Sequence, residues 1–282
     1  MLLDHHEACR IKLDRVQPKR PNSCRLSVAA NAINFFAGTN VMSPERVLSR
    51  IDQYRQTKGL PPVDLNTEAV LDEEVHAFFK DYSPDIEMTD VYGERFLDVD
   101  FLEELLDAGC IIAADHLLLY CDPSWRSPNS LGYIPEDLLQ RMLNEEFTYQ
   151  TFIEFQLFIA KLSGDISHGH VDIILDIKQV AGQKCLILAN LASYGNEYPI
   201  AVPWDFYRHY LAFDWGGGLP MANPNILPDP DELSRLKEEG YLERDGLEFF
   251  HGGFEIYFPV AKKQELEAII AKYSQKQAVP VA

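Results

Sequence analysis

Asn22-Ser23-Cys24-Arg25-Leu26-Ser27-Val28-Ala29-Ala30-Asn31-Ala32-Ile33-Asn34-Phe35-Phe36-Ala37-Gly38 decides how the chain is read. The turn formers Gln17-Pro18-Lys19-Arg20-Pro21 precede it and a glycine closes it, so a helix entered from a loop is predicted. Leu26, Ala29, Ala30, Ile33 and Ala37 recur at helical spacing while Val28, Ala32 and Phe36 fill other faces. Such a helix belongs at the centre of a fold. Asn22 or Ser23 can cap it by accepting a bond from a backbone N–H of the first turn. Cys24 then falls in that turn, where the N–H groups and the positive end of the helix dipole favour a thiolate, the form that attacks carbon. The competing reading is a core cysteine that merely begins a buried helix.

Composition narrows the class. The chain has 282 residues, 46% hydrophobic and 24% charged, ordinary for a globular protein of one large or two small domains. With 25 basic and 44 acidic residues it carries a net charge of −19, which repels nucleic acid and anionic lipid, so neither is an expected partner. No apolar run reaches the length of a membrane span, and Met1-Leu2-Leu3-Asp4-His5-His6-Glu7 lacks the basic start and apolar stretch of a signal peptide. Cys9, Cys24, Cys110, Cys121 and Cys185 show no C-x-x-C spacing. A reducing, cytoplasmic setting is expected from this, without a disulfide framework or thiolate zinc site. Cys110 and Cys185 lie in apolar runs and read as inert core thiols. No cofactor or metal is expected: Gly216-Gly217-Gly218 lacks the context of a phosphate loop, and His5, His6 and Cys9 lack a fourth ligand.

Along the chain, Ser43-Pro44-Glu45-Arg46 is a cap with proline at the first helical position, opening a helix to about Gln56. A second helix is predicted from Thr67 to Lys80, with Asp72-Glu73-Glu74 on a solvated face and His76 structural or at the surface. A short strand covers Ile86 to Tyr92, and a helix from Phe101 to Ala108 stops at Gly109. Cys110 to Ala114 reads as a buried strand and Pro135 to Leu162 as a broken helical region. Val171–Ile177 and Lys184–Leu191 form an antiparallel pair about Gly182. Pro203 opens a helix at Trp204. Beyond the Gly/Pro/Asn-rich stretch from Trp215, a helix (Asp231 to Glu239), a hairpin (Tyr241–Phe249 with Phe254–Phe258) and a last helix from Lys262 to about Tyr273 are expected. Helices first and antiparallel strands second make the class α+β.

A cysteine nucleophile needs a base, a group to orient that base, and donors for an oxyanion. Ser167-His168-Gly169-His170-Val171 offers His170 at the mouth of a strand, with His168 as the alternative. Asn190 ends the following strand; if the two strands pair about Gly182, it comes near His170 and its amide can fix the imidazole tautomer. Otherwise it simply caps the strand. Gln17, seven residues before Cys24, can add its amide N–H to that of the Cys24 backbone in an oxyanion hole.

These residues, in this order, resemble the papain-like clan of cysteine peptidases, and within it the C39-like, bacteriocin-processing-type branch. The resemblance rests on Gln-x6-Cys with its apolar helix, on His170-Val171-Asp172-Ile173-Ile174-Leu175, on Asn190 after the next strand, and on Leu105 to Ala113 and Trp204-Asp205-Phe206. It covers about residues 15 to 213. Two departures stand out: Arg25 where the family usually has glycine, and Asn190-Leu191-Ala192 in place of Asp-Pro. Arg25 could crowd the substrate or set a charge beside it.

The resemblance implies a papain-like fold, with a helical half carrying Cys24 and a sheet half carrying His170 and Asn190. It also implies a hydrolase or acyl transferase acting through a thioester on a peptide or a small amide-containing molecule. Residues 1–214 are expected to form that domain. Residues 215–282 would be an appendage packed on it, whose apolar hairpin otherwise suggests self-association. A non-catalytic binding or scaffold protein that keeps the fold is the rival reading.

Overall fold

Apolar runs scattered from one end of the chain to the other assemble into a single sheet. A computed structural model describes residues 23–66, 68, 70–92, 94–117, 136–144, 151, 154, 169–189, 199–208 and 253–275. The strands are β1 (Ile86–Tyr92), β2 (Ile111–Leu117), β3 (Gly169–Val180), β4 (Gln183–Leu188), β5 (Ile200–Pro203) and β6 (Gly253–Pro259). They lie in the order β1-β6-β2-β3-β4-β5, and every pair is antiparallel. With the helices α1 (Cys24–Ala37), α2 (Pro44–Thr57), α3 (Asp72–Tyr82), α4 (Val99–Asp107), α5 (Glu136–Asn144) and α6 (Lys263–Ser274), the class is α+β.

Local chemistry explains most of the boundaries. Ser43 caps α2 by accepting from the Arg46 N–H, with Pro44 at the first helical position. α3 starts at Asp72 rather than Thr67, because the Glu74 carboxylate takes the Leu71 N–H at 3.0 Å and fixes the first turn there. The β3–β4 hairpin turns on Ala181 (φ 51°) and Gly182 (φ 84°), two left-handed residues between the paired Val180 and Gln183. Of the broken helical region expected from Pro135 to Leu162, α5 falls within the described residues as a continuous helix.

The C-terminal segment departs from expectation. β6 is an interior strand: Ile256 pairs with Thr89 of β1 on one side and Ile112 of β2 on the other. Both edges of β6 are thus occupied over Phe254 to Tyr257, so this strand does not form the expected hairpin; Tyr241–Phe249 lie outside the described residues. Nor is the segment an appendage at this strand, since the sheet of residues 1–214 is continuous only through it. Phe254, Ile256, Tyr257 and Phe258 are buried inside the molecule, which removes the reason given for self-association through them.

Alternate strand residues face opposite ways. On one face of β6 the Tyr257 ring meets Phe79 of α3 at 5.3 Å, and on the other Phe254 stacks on Tyr207 at 6.5 Å. The sheet is therefore covered on both sides. α1 packs against β3, α3 against β1, and α4 against β2 and β3.

Candidate active site around Cys24

Helix α1 is built to be buried: every residue from Leu26 to Asn34 is inaccessible to solvent or nearly so. The polar members of that run bond to nearby backbone. Asn31 Nδ2 donates to the Ser27 carbonyl at 2.7 Å. Asn34 Oδ1 accepts from the Val41 and Met42 N–H groups, both at 2.8 Å, and its Nδ2 donates to the Met42 carbonyl at 3.0 Å. Gly38 ends the helix in the left-handed region (φ 67°). At the other end Ser23 occupies the cap position but makes no side-chain cap bond; Asn22, the other expected cap, lies outside the described residues. The Ser23 carbonyl instead receives the Ser27 N–H at 3.1 Å and the Ser27 hydroxyl at 3.3 Å.

Cys24 is the first residue of this helix, a half-buried thiol outside any disulfide. Cys110 and Cys185 are likewise outside any disulfide but fully buried, and burial pushes both thiols up, Cys110 to about 11. Their burial matches the sequence reading of both as core thiols. Cys9 and Cys121 lie outside the described residues.

His170 is the second residue of β3, its backbone opposite His116 of β2. The helix that begins with Cys24 packs on this strand. Pairing between β3 and β4 about Gly182 continues to Ala189, whose N–H donates to the Ile173 carbonyl at 2.8 Å. Asn190, Gln17 and His168 lie outside the described residues. Among those described, no group of three histidine, cysteine or acidic side chains is arranged to hold a metal ion, and no helix is long and apolar enough to cross a membrane.

What the sequence reading missed lies one residue past the cysteine. The Arg25 side chain ties three elements together. Its Nε donates to Glu255 Oε1 of β6 at 2.7 Å, and its Nη1 lies 2.8 Å from Asp72 Oδ1 and donates to the Val70 carbonyl at 3.0 Å, at the start of α3. Glu255 is only 3% exposed, and its second oxygen accepts the Tyr257 hydroxyl at 2.5 Å. Across the β1–β6 ladder Glu255 stands opposite Asp90, which pairs with His76 at 2.8 Å. Burial is the main cause that pushes the Glu255 carboxyl above its ordinary range, against the pull of Arg25; Tyr257 is pushed well up for the same reason, reinforced by Glu255.

Asp72 and Glu74 do not belong to a merely solvated face, since Asp72 pairs with Arg25 while Glu74 is buried, caps Leu71 and lies 3.4 Å from Arg55. The lone acid in the apolar run Phe254-Glu255-Ile256 was the signal for this cluster. An unpartnered carboxylate has no place in a central strand.

No protein-family model matches the chain, and no curated protein matches it.

Proposed function

We propose that this protein is a cysteine-dependent hydrolase or acyl transferase of the papain-like, C39-like kind, with Cys24 as nucleophile. The observation that carries the reading is the contrast among the cysteines: Cys24 alone of the three described is half-exposed, and it alone begins a helix. The first turn of a buried helix supplies N–H groups and a positive dipole end to a thiolate. The packing of that helix on β3, near whose start His170 lies, supports the choice of base.

In this reading Cys24 attacks the carbonyl of a peptide or small amide. His170 takes its proton and returns it to the departing amine, leaving a thioester that water or a second amine resolves. Asn190 orients His170; the antiparallel β3–β4 pairing on which that role depends supports it as far as Ala189. Gln17 and the Cys24 N–H hold the oxyanion. Arg25, which stands where the family has glycine, has its guanidinium engaged by Glu255, Asp72 and the Val70 carbonyl.

The test is alkylation by iodoacetamide followed residue by residue, with turnover on a panel of peptide amides and esters. Cys24 is expected to react well below pH 8, and Cys24→Ser to fold but abolish turnover. His170→Ala should lower turnover by roughly 10²–10⁴-fold and His168→Ala by much less. A Cys24 that stays silent in the folded protein returns the chain to the rival reading, a non-catalytic binding or scaffold protein.

A further inference from the structure

We propose that Arg25 and Glu255 act as a positioning pair for Cys24, joining the first turn of its helix to the C-terminal strand and setting how readily the thiol ionises. The proposal rests on the reading of Cys24 as the reacting thiol. Neither residue is called catalytic, since each acts through the helix start or through its charge.

Three observations point this way. First, Arg25 is the second residue of α1, and a cation in the first turn opposes the helix dipole, while no acidic residue occupies that turn. Helix formation therefore does not explain the arginine. Second, its partner is an acid on an interior strand of a six-stranded sheet, with Phe254 and Ile256 on either side in sequence. A pair whose carboxylate is buried and whose guanidinium is half-buried is a poor device for stability compared with apolar side chains of the same size. What it supplies is a fixed geometry: the guanidinium is held by Glu255 of β6 and by Asp72 and the Val70 carbonyl at the start of α3. Third, Arg25 directly follows Cys24, so whatever fixes this side chain fixes the backbone immediately after the thiol.

The charges make a signed prediction possible. The guanidinium favours a neighbouring thiolate, as does His170, the base of the proposed reaction, when protonated. The carboxylates of Glu255, Asp72 and Asp90 oppose it, offset in part by His76 when protonated. Tyr257 is neutral and donates to Glu255. Removing the cation should raise the pH at which Cys24 becomes reactive, and removing one carboxylate should lower it. A purely structural role predicts the same direction for both, because either change loosens the same junction.

The experiment measures the rate of Cys24 alkylation by iodoacetamide from pH 5 to 9.5 in the full-length protein. The parent is compared with Arg25→Met, Arg25→Lys, Glu255→Gln and Asp72→Asn. The midpoint is expected to rise by about half a pH unit or more in Arg25→Met and to fall by a similar amount in Glu255→Gln and Asp72→Asn. Arg25→Lys, which keeps the charge, should restore most of the parent value. Continued silence of Cys110 and Cys185 reports that each variant is folded, and Asp72→Asn, altering a part-exposed group, keeps the test available if Glu255→Gln does not fold. A parent Cys24 that reacts readily while the midpoints are unmoved, or move together, overturns the positioning role alone. A parent Cys24 that does not react overturns the nucleophile reading and this proposal with it.

Discussion

His76 Nε2 lies 2.8 Å from Asp90 Oδ2, which ties the middle of α3 to β1 one strand away from Glu255. The bond to Asp90 raises the His76 pKa above its ordinary value, against the opposing effect of burial. A histidine whose folded-state pKa is raised contributes stability below its unfolded value of about 6.5, and loses it as pH climbs through the folded value.

That sign gives the first prediction. Stability measured by urea unfolding should fall between pH 6 and pH 8 in the parent by more than in His76→Gln or Asp90→Asn. The His76 side chain is 39% exposed, so solvent screening keeps the difference below about 1 kcal/mol. Equal slopes in parent and variants across this window would show that the pair does not couple protonation to folding.

Asn34 supplies the second. Its side chain makes three hydrogen bonds to the backbone of Val41 and Met42, holding the loop that leaves α1. Asn34→Ala strands the Met42 N–H and carbonyl, while the Val41 N–H keeps its bond to the Thr39 carbonyl at 3.0 Å. The change is expected to cost about 2 kcal/mol. Asn34→Asp keeps the acceptor and should cost less. An alanine variant within 0.5 kcal/mol of the parent by urea unfolding, a margin typical of uninvolved surface sites, would mean that water replaces the lost amide without penalty.

How much of this could be read beforehand depends on range. Ser43-Pro44, Gly109 and Gly182 act on their immediate neighbours, and the elements they bound were found close to where those residues predict. The mixed class and the buried helix after Cys24 follow from periodicity, which is also local. The neighbours of β6 are not local. Its partner Ile86–Tyr92 is far away in sequence, and nothing in an apolar run says which other strand it will join, so the nearer hairpin was the natural expectation. The same distance hid the Arg25 cluster. Arg25 stood out as a departure from glycine, but Asp72 reads as one of a solvated acidic run. Glu255 comes beside them only when β6 is placed next to β1 and the helices pack on the sheet. Of the candidate site, the backbone places of Cys24 and His170 match the sequence reading, while Gln17 and Asn190 lie outside the described residues.

Ala181 carries the third prediction. It is the only non-glycine residue at positive φ (51°) among those described, in a two-residue hairpin turn whose second position is Gly182. A left-handed alanine costs roughly 1 kcal/mol, and asparagine tolerates that region better. Ala181→Asn should raise stability by about 0.5–1 kcal/mol with no other change, as read from the denaturant midpoint at constant slope. A lower midpoint would mean that the turn's strain is relieved elsewhere.

The last prediction concerns β6 and separates an appendage from a structural strand. A chain ending at Gly252 lacks the strand between β1 and β2, and leaves Arg25 without Glu255. An appendage could be removed with some loss of solubility while Cys24 kept its selective reactivity. An interior strand cannot, because β1 would lose its ladder to β6 and the apolar faces of β2 and α3 would open to water. The truncated chain should therefore lack a cooperative unfolding transition, and iodoacetamide should label Cys110 and Cys185 along with Cys24. Ile256→Pro is a milder version: it deletes an N–H in a strand bonded on both sides, and proline there should destabilise by about 3 kcal/mol or more. A truncated protein that still melts cooperatively and protects Cys110 would show that β1 and β2 close the sheet without β6, and the positioning role of Glu255 would then lose its structural basis.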